Sequence, residues 1–318
     1  MVTLAGVMLV RDEAHILGVN LRHHLGVVDQ LFVIDNGSSD ATPRILRRFA
    51  RRHPQLHWTT DTGPYLQAKL LTHLAQDARR AGAAWVVSID ADEFWIPTVD
   101  RPLAGVVGDV DAGVGALRVP VVNYIQARWI REEHRRSLLT MTRRAPSPVG
   151  PPESAAGLVA NRHTSYVEAA YAPKLITRTT DDLTIGLGNH SAEGVAGAVV
   201  DTEDLMCLHA PLRSRENLLL RAATGDRVEN DDFGEGTAWQ PRRWAQLDAD
   251  ELEVECRANS YGGFLDLSID VYGFDHPVIV DTRLRDTVER HYSLRDRVIA
   301  SLAWRRHVRE TRATAGTP

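Results

Sequence analysis

The chain has 318 residues, and its 37 lysine and arginine residues against 42 aspartate and glutamate residues give a formal net charge of -5. That balance provides no basic field of the kind that duplex nucleic acid requires, so no nucleic-acid partner is expected. Cys207 and Cys256 are the only cysteines, too few for a disulfide framework or a zinc cluster, which favours a reduced, cytoplasmic setting.

No apolar run in the chain approaches the roughly 20 residues that a membrane-spanning helix needs, so no transmembrane segment is expected. The apolar start of the chain lacks basic residues and a small-residue cleavage site, and it is interpreted as a first strand instead of a signal peptide. These features leave the oligomeric state open.

Short apolar runs alternate with amphipathic stretches over the first 95 residues. Strands are predicted over 4–10, 30–34, 57–60 and 86–89, and helices over 15–25, 43–52 and 65–80. This alternation predicts a mostly parallel sheet with helices on both faces. Because ligands of such sheets bind beyond the carboxyl ends of the strands, polar residues at those ends are the first candidates for a site.

Three of the predicted strand ends carry polar clusters, at residues 11–13, 35–36 and 90–93. Acids at the end of a buried strand are costly unless a charge neutralises them. Asp90 and Asp92 are two residues apart and can both approach one Mg²⁺ or Mn²⁺, ions that prefer oxygen ligands and keep substrate phosphates in their shell. The pattern therefore predicts a metal-dependent enzyme that acts on a nucleotide.

The order and spacing of three segments resemble those of nucleotide-sugar glycosyltransferases of the GT-A fold, related to glycosyltransferase family 2. The segments are Val10-Arg11-Asp12-Glu13-Ala14, Val33-Ile34-Asp35-Asn36-Gly37-Ser38-Ser39-Asp40-Ala41-Thr42 and Ile89-Asp90-Ala91-Asp92-Glu93. The tail Glu93-Phe94-Trp95 and the missing arginine-asparagine helix start mark a divergent subgroup. The resemblance is clear over about residues 4–95, weaker to about residue 225, and absent beyond.

The resemblance implies an α/β fold of the GT-A type: Rossmann-like, with a mostly parallel central sheet, flanking helices and a helical C-terminal extension. The glycosyltransferase domain is expected over 1–225, with a nucleotide-binding half over 1–95 and an acceptor and metal half over 96–225. A mobile loop and a mainly helical extension are expected over 226–318.

The resemblance also implies where the nucleotide-sugar donor binds. The base and ribose are expected at the first two strand ends, and the ribose or sugar at the third. Gln67 or Lys69 lies on the helix where the family usually has an arginine that contacts the diphosphate or base. The expected donor-binding residues are Arg11, Glu13, Asp35, Asn36, Lys69, Asp90 and Ala91.

The expected cofactor is Mn²⁺ or Mg²⁺, with Asp90 and Asp92 as acidic ligands. Many GT-A enzymes complete the metal shell with a late histidine, and His190 and His209 are both candidates. Imidazole is an acceptable ligand to Mn²⁺ beside oxygens. His209 is preferred, because it ends a predicted strand over 205–209.

Glycosyl transfer with inversion, which the resemblance implies, requires a carboxylate that takes the proton of the acceptor hydroxyl. Glu193 is the first candidate for this base, because it lies in a loop three residues after His190. Glu216 is the second, because the start of a helix favours its ionised form. The donor is expected to be a UDP-sugar or other nucleotide diphosphate sugar, and the acceptor a small molecule, a glycan or a lipid-linked sugar.

Two alternatives stay open. A nucleotidyltransferase that makes a nucleotide sugar also uses paired acids after a parallel β-α unit. It needs a phosphate loop rich in glycine and arginine after the first strand, whereas this chain has no glycine there until Gly18. The other alternative is a non-catalytic sugar-binding homologue, against which the intact Asp90 and Asp92 argue.

Overall fold

The computed structural model describes residues 3–126, 135–225, 239–260 and 278–298. The strands are Leu4–Val10 (β1), Gln30–Asp35 (β2), Leu56–Thr60 (β3), Trp85–Ser88 (β4), Glu93–Pro97 (β5), Val114–Val119 (β6), Val121–Asn123 (β7), Arg143–Arg144 (β8), Lys174–Arg178 (β9), Thr184–Ile185 (β10), Ala192–Glu193 (β11), Ala198–Asp201 (β12), Leu205–His209 (β13) and Ile279–Val280 (β14). The helices are Ala14–His24 (α1), Thr42–Ala50 (α2), Gln67–Arg80 (α3), Leu103–Gly108 (α4), Ala155–Ala160 (α5), Arg215–Gly225 (α6), Trp239–Ala245 (α7), Ala249–Ala258 (α8) and Arg283–Glu289 (α9).

The described residues form two compact units. The first contains residues 3–122 and 172–209, and the second contains 123–126, 135–171 and the described residues from 210 onward. The functional division expected at residue 225 stays a prediction, because compactness assigns no role to either unit. The loop expected just after residue 225 and the end of the expected extension lie outside the described residues.

The central sheet of the first unit has seven strands in the order β12-β6-β9-β4-β1-β2-β3. β1 pairs in parallel with β2 and β4, β2 with β3, and β6 with β12, whereas β9 runs antiparallel between β4 and β6. The predicted α/β class with a mostly parallel sheet is therefore confirmed. The carboxyl ends of β4, β1 and β2 lie side by side.

The strand β1, near the centre of this sheet, is fully apolar. All seven residues of β1 are buried, and α3 packs Leu71 and Leu74 against the sheet beside Val7. Gly6 lies where the chain after β4 crosses closely: a Cβ there would lie 2.7 Å from Ile89 Cδ1 and 2.8 Å from a methyl carbon of Leu31. Only glycine fits this close approach without movement of the neighbouring side chains.

The sequence pattern suggested that the acids after β4 simply end a strand, but a second strand follows them directly. A new strand, β5, begins at Glu93 and pairs antiparallel with β13, so that Glu93 lies opposite His209 and Trp95 opposite Cys207. Phe94 is fully buried, as expected of a strand covered on that face. The turn that bears Asp90 and Asp92 is thus fixed at both ends by strands.

The second unit contains a cluster of aromatic residues and several buried carboxylates, among them Asp281. Tyr166 packs edge-to-face against Trp244 with ring centroids 5.1 Å apart. Asp281 accepts hydrogen bonds from Tyr124 Oη and Arg144 Nε, each at 2.7 Å, and from Arg283 Nε at 3.0 Å. Burial raises the pKa of Asp281, but the hydrogen bonds from Arg283, Tyr124 and Arg144 outweigh burial and hold it well below its usual range.

This carboxylate should make the stability of the chain depend on acid pH. Because the pKa of Asp281 is lower in the folded than in the unfolded state, its stabilisation is present above the unfolded pKa of about 3.9 and is lost as pH falls through the folded pKa. We expect Asp281→Asn to lower the free energy of unfolding at pH 7 by about 2 kcal/mol and to flatten its decline below pH 4. Urea unfolding between pH 7 and pH 2 measures both effects. Asp182→Asn, an exposed site, is the control, and a parallel decline in all three proteins contradicts the prediction.

Candidate functional site

The loops after β1 and β2 hold each other through hydrogen bonds. The backbone N–H groups of residues 12, 13 and 14 donate in turn to Ser38 Oγ at 2.9 Å, Thr42 Oγ1 at 3.0 Å and Asp40 Oδ2 at 2.9 Å. These groups lie at the start of α1, where backbone N–H groups lack helical partners. Ser38, Asp40 and Thr42 therefore cap α1, and they join the first two polar strand ends into one edge.

Asp12 lies at the centre of this junction. Its φ of 50° lies in the left-handed region, which aspartate tolerates better than most residues. Its Oδ1 accepts from the backbone N–H groups of Ser39 at 2.6 Å and Asp40 at 3.2 Å, and its Oδ2 lies 3.6 Å from Arg11 Nε. Asp12 thus joins the loop after β1 to the loop after β2. Arg11 and Glu13 are half-buried on either side of it.

Asp35 and Asn36 end β2 in buried positions. Asp35 Oδ1 accepts from the backbone N–H of Ser38 at 3.3 Å and from its hydroxyl. Asn36 is fully buried, and its Nδ2 donates to the carbonyl of Asp61 at 3.0 Å, which ties the end of β2 to the chain after β3. Both residues shape the edge where the donor is expected, and their contact with a nucleotide stays a prediction.

The turn from Asp90 to Glu93 is held by Asn20, a fully buried residue of α1. Asn20 Nδ2 donates to the carbonyls of Ala91 at 2.9 Å and Glu93 at 2.8 Å and, at 3.3 Å, to that of Asp90. Its Oδ1 lies 2.9 Å from His24 Nδ1. The two N–H groups of one side-chain amide therefore bind the carbonyls of Ala91 and Glu93 and lie near that of Asp90, which also accepts from the backbone N–H of Glu93 at 3.0 Å.

Two neighbouring histidines of α1 extend this support to β5. The Nε2 of His23 lies 2.9 Å from the carbonyl oxygen of Trp95, and the backbone N–H of Trp95 donates to His24 Nε2 at 3.5 Å. Since His24 Nε2 accepts, its Nδ1 carries the proton and donates to Asn20. Polar side chains on the buried face of α1 thus bind the acidic turn and the start of β5.

A buried lysine, Lys174, neutralises part of the turn. Its Nζ lies 2.7 Å from Asp90 Oδ2 and forms an ion pair with Glu93, whose other oxygen accepts from the backbone N–H of Asp90 at 3.2 Å. Burial raises the pKa of Glu93 to about 7, and the charge of Lys174 opposes that rise. Burial alone would lower the pKa of Lys174, but Asp90 and Glu93 outweigh it and raise the pKa well above its usual range.

Asp92, the other acid of the pair, lies beside His209, the last residue of β13. His209 Nε2 lies 3.6 Å from Asp92 Oδ2, and the Asp92 side chain is only 5% exposed. The pairing of β5 with β13 explains this approach, because His209 lies opposite Glu93. The structure thus brings together Asp92 and His209, the preferred candidate of the two histidines.

His190 lies near the same residues but is held differently. Its Nδ1 lies 3.2 Å from the carbonyl of Pro173, so the ring donates there and keeps its proton on Nδ1. Burial lowers the pKa of His190 to about 4, and the charge of Lys174 lowers it further. His190 is therefore neutral at pH 7. The preceding residue, Asn189, is 2% exposed, and its side-chain atoms have no hydrogen-bond partner in the described part of the chain.

Three further residues were predicted for the site: Lys69, Glu193 and Glu216. Lys69 is exposed on α3. Glu193 is exposed in the β10–β11 hairpin opposite Thr184, and within the described residues no hydrogen bond or ion pair joins it to the turn. Glu216 belongs to the second unit, in the first turn of α6. The roles proposed for these three residues stay predictions.

The sequence interpretation missed three residues of the support, Asn20, His24 and Lys174. The first two interrupt the apolar face of a predicted helix, a pattern that indicates buried polar side chains with partners elsewhere. Lys174 is one of only two lysines in the chain and lies in an apolar strand, which indicates a paired buried charge. Neither signal identifies the partner, because the partners lie 70 or more residues away.

The residues present fit a Mn²⁺ or Mg²⁺ that shares its shell with a substrate. No group of three or more histidine, cysteine, aspartate or glutamate side chains in the described ranges could hold an ion alone. Asp92 and His209 offer one carboxylate and one imidazole side by side. Magnesium sites commonly take one or two carboxylates and complete the shell with substrate phosphates and water.

The comparison with protein families finds one match. Residues 8–157 match the model of glycosyl transferase family 2. This segment comprises 150 of the 318 residues and contains all three motifs. The family resemblance drawn from those motifs is therefore confirmed, and with it the enzyme class, a glycosyltransferase. No curated protein matches the chain.

Solved structures of two enzymes are similar at low identity. The mannosyltransferase PcManGT from Pyrobaculum calidifontis, in complex with GDP-Man and Mn²⁺, is 16% identical, with a TM-score of 0.40 over 84% of this chain and 76% of that chain. TarS 1–349 from S. aureus, in complex with UDP-GlcNAc, is 13% identical, with a TM-score of 0.41 over 84% of this chain and 77% of that chain. At this level neither likeness assigns a donor or a metal to this chain.

Proposed function

We propose that this family 2 glycosyltransferase is a metal-dependent enzyme that moves a sugar from a nucleotide diphosphate sugar, with a UDP-sugar as the first candidate, to an acceptor hydroxyl. The observation that carries the proposal is the placement of Asp92 and His209, with Nε2 and Oδ2 3.6 Å apart, beyond the end of β4. The loops of β1 and β2 form the adjacent part of the same sheet edge.

The arrangement of the edge suits a nucleotide diphosphate sugar. The base and ribose fit beside Arg11, Glu13 and Asp35, at the ends of β1 and β2. The sugar and diphosphate then lie over the turn at Asp90 and Asp92. Parallel sheets bind ligands at this edge because the loops there come from several strands and converge.

Asp92 and His209 would hold the divalent ion, together with oxygens of the donor diphosphate. When bound, the ion neutralises the negative charge that develops on the departing diphosphate. The chain's own contribution is to fix these two ligands on a rigid frame. Asp92 is held in a turn bound by Asn20, and His209 ends a paired strand.

Transfer breaks the bond between the anomeric carbon and the diphosphate oxygen and forms one to the acceptor oxygen. Nucleoside diphosphate leaves with the bonding electron pair, and the acceptor proton goes to a base. For an inverting reaction that base lies on the face of the sugar opposite the leaving group. Glu193 and Glu216 stay candidates for this role, and exchange of each for glutamine is the direct comparison.

A donor panel tests the proposal. The protein is incubated with UDP-, GDP- and dTDP-sugars, with Mn²⁺ or with EDTA, and the release of nucleoside diphosphate is measured. We expect release from one class of donor, with a strict need for the divalent ion. Release of pyrophosphate would support a nucleotidyltransferase instead. Failure to turn over any donor, even by hydrolysis, would favour a non-catalytic sugar-binding protein.

One matched pair of variants decides which of the two histidines, His190 or His209, binds the metal. We expect His209→Gln to raise the Mn²⁺ concentration for half-maximal activity by about tenfold to a hundredfold, because the imidazole beside Asp92 is lost. His190→Gln should change it less than threefold. Titration of activity with Mn²⁺ at saturating donor gives both values. A larger effect at His190 than at His209 would reverse the assignment.

A further inference from the structure

The two acids of the Asp-x-Asp pair have different partners. Asp90 is bound through Oδ2 by the ammonium of Lys174, at 2.7 Å, whereas Asp92 lies 3.6 Å from the imidazole of His209. Lys174 is buried, with its side chain 5% exposed, and Asp90 is 30% exposed. One acid therefore lies beside a fixed cation, and the other beside a ring nitrogen that can bind metal.

The strand order explains how a lysine reaches this position. β9 runs antiparallel beside β4, so its first residue, Lys174, lies next to the carboxyl end of β4, where Asp90 follows. Glu93 receives the same ammonium and binds the backbone N–H of Asp90. Lys174 thus fixes Asp90 directly through its carboxylate and indirectly through its main chain.

Stability alone is a weak reason for this arrangement. A buried ion pair loses the hydration of both charges, and well-packed apolar residues of similar volume often stabilise a protein equally well. An ammonium held on a carboxylate also has a chemical consequence. It occupies one oxygen and cancels the charge that would attract a second cation.

We propose that Lys174 is a positioning residue that withholds Asp90 from the metal and orients its carboxylate toward a hydroxyl of the donor. The metal then relies on Asp92 and His209. This inference rests on the proposed function for the identity of the donor, but the division of the two acids stands on the contacts of Asp90 and Asp92 alone.

The first test compares the two acids in the intact protein. Mn²⁺ binding is measured by electron paramagnetic resonance at a fixed, saturating concentration of UDP, which supplies phosphate oxygens to the metal shell, for the wild type, Asp90→Asn and Asp92→Asn. We expect Asp90→Asn to keep the Mn²⁺ dissociation constant within twofold of wild type, and Asp92→Asn to weaken binding at least tenfold. Equal weakening by both variants, or no Mn²⁺ binding by the wild type, would overturn the inference.

The second test removes the cation while limiting buried charge. Lys174→Met combined with Glu93→Gln is compared with Glu93→Gln alone, which keeps the contact between Lys174 and Asp90. With Asp90 released, we expect the double variant to bind Mn²⁺ at least fivefold more tightly and to show a donor KM at least tenfold higher, with kcat changed less than threefold. A purely structural lysine would lower the melting temperature and leave Mn²⁺ affinity and donor KM equal in the two variants.

The two hypotheses fail in different ways. If wild-type protein binds Mn²⁺ but releases nucleoside diphosphate from no donor, the proposed function fails, and the binding comparison of Asp90→Asn with Asp92→Asn still decides the inference. If the wild type turns over a donor but Asp90→Asn loses Mn²⁺ binding, the function stands and the role of Lys174 is wrong. If the double variant does not fold, the Mn²⁺ affinities of Asp90→Asn and Asp92→Asn still decide whether Asp90 is withheld from the metal.

Discussion

Replacement of Asp92 by asparagine is expected to lower kcat/KM for the donor by about a thousandfold, or about 4 kcal/mol of transition-state stabilisation. Asparagine keeps the shape of the side chain but removes the charge that holds a divalent ion beside His209. Because Asp92 is buried and held between β4 and β5, no neighbouring acid can replace it without movement of the turn. Initial rates at saturating Mn²⁺ measure the effect.

The control for this variant is Asp182→Asn, the same change at an exposed position. We expect its kcat/KM to stay within twofold of wild type, and both variants to keep the wild-type circular dichroism spectrum. An Asp92→Asn enzyme with activity within tenfold of wild type across Mn²⁺ concentrations would remove Asp92 from the metal site. Loss of the folded spectrum would instead point to a structural role.

Replacement of Asn20 by alanine is expected to affect stability and activity together. The variant leaves the carbonyls of Ala91 and Glu93 without the amide that binds them and leaves His24 without its side-chain acceptor. Buried unsatisfied groups of this kind cost about 1–3 kcal/mol each when no water replaces the partner. We expect the free energy of unfolding to fall by about 3 kcal/mol and kcat/KM to fall at least tenfold, because the turn holds Asp92.

Urea unfolding and initial rates give the two quantities for Asn20→Ala. Asn161→Ala, at an exposed position, is the matched control. It should change neither the free energy of unfolding nor the activation free energy derived from kcat/KM by more than about 0.5 kcal/mol. An Asn20→Ala variant as stable and as active as wild type would show that the turn holds its shape without α1.

The sequence predicts the parallel part of the fold well because its signals are local. Each of β1, β2 and β4 is a short apolar run with helical periodicity before or after it, and the polar clusters follow directly. The placement of all three clusters at one sheet edge follows from the alternation alone. The family match over residues 8–157 covers this same region.

The partners within the site could not be read from the sequence, because they depend on antiparallel pairing between distant segments. β13 pairs with β5 across more than 100 residues, which brings His209 opposite Glu93. β9 is antiparallel in an otherwise parallel sheet, which brings Lys174 to Asp90. Neither pairing leaves a local pattern, so the sequence offered His209 only as one of two candidate histidines and did not indicate Lys174 as the partner of Asp90.

The motif around Asp35 shows the same limit. Its serine, aspartate and threonine are residue types that often cap helices. Three of their bonds cap α1 from across the edge, and Asp40 also accepts from the backbone N–H of Thr42 at the start of α2, at 2.8 Å. The residue types alone indicate helix caps, but only the three-dimensional arrangement shows that they serve α1 as well as α2. The same segment therefore both builds the edge and borders the expected nucleotide site.

A crystal structure with Mn²⁺ and a nucleoside diphosphate would show directly which side chains bind the metal, because manganese is located by its anomalous scattering. We expect one manganese peak within coordination distance of Asp92 and His209, the nucleotide along the ends of β1 and β2 near Asp35, and Asp90 still bound to Lys174. A manganese peak elsewhere, or a nucleotide bound away from this edge, would contradict it.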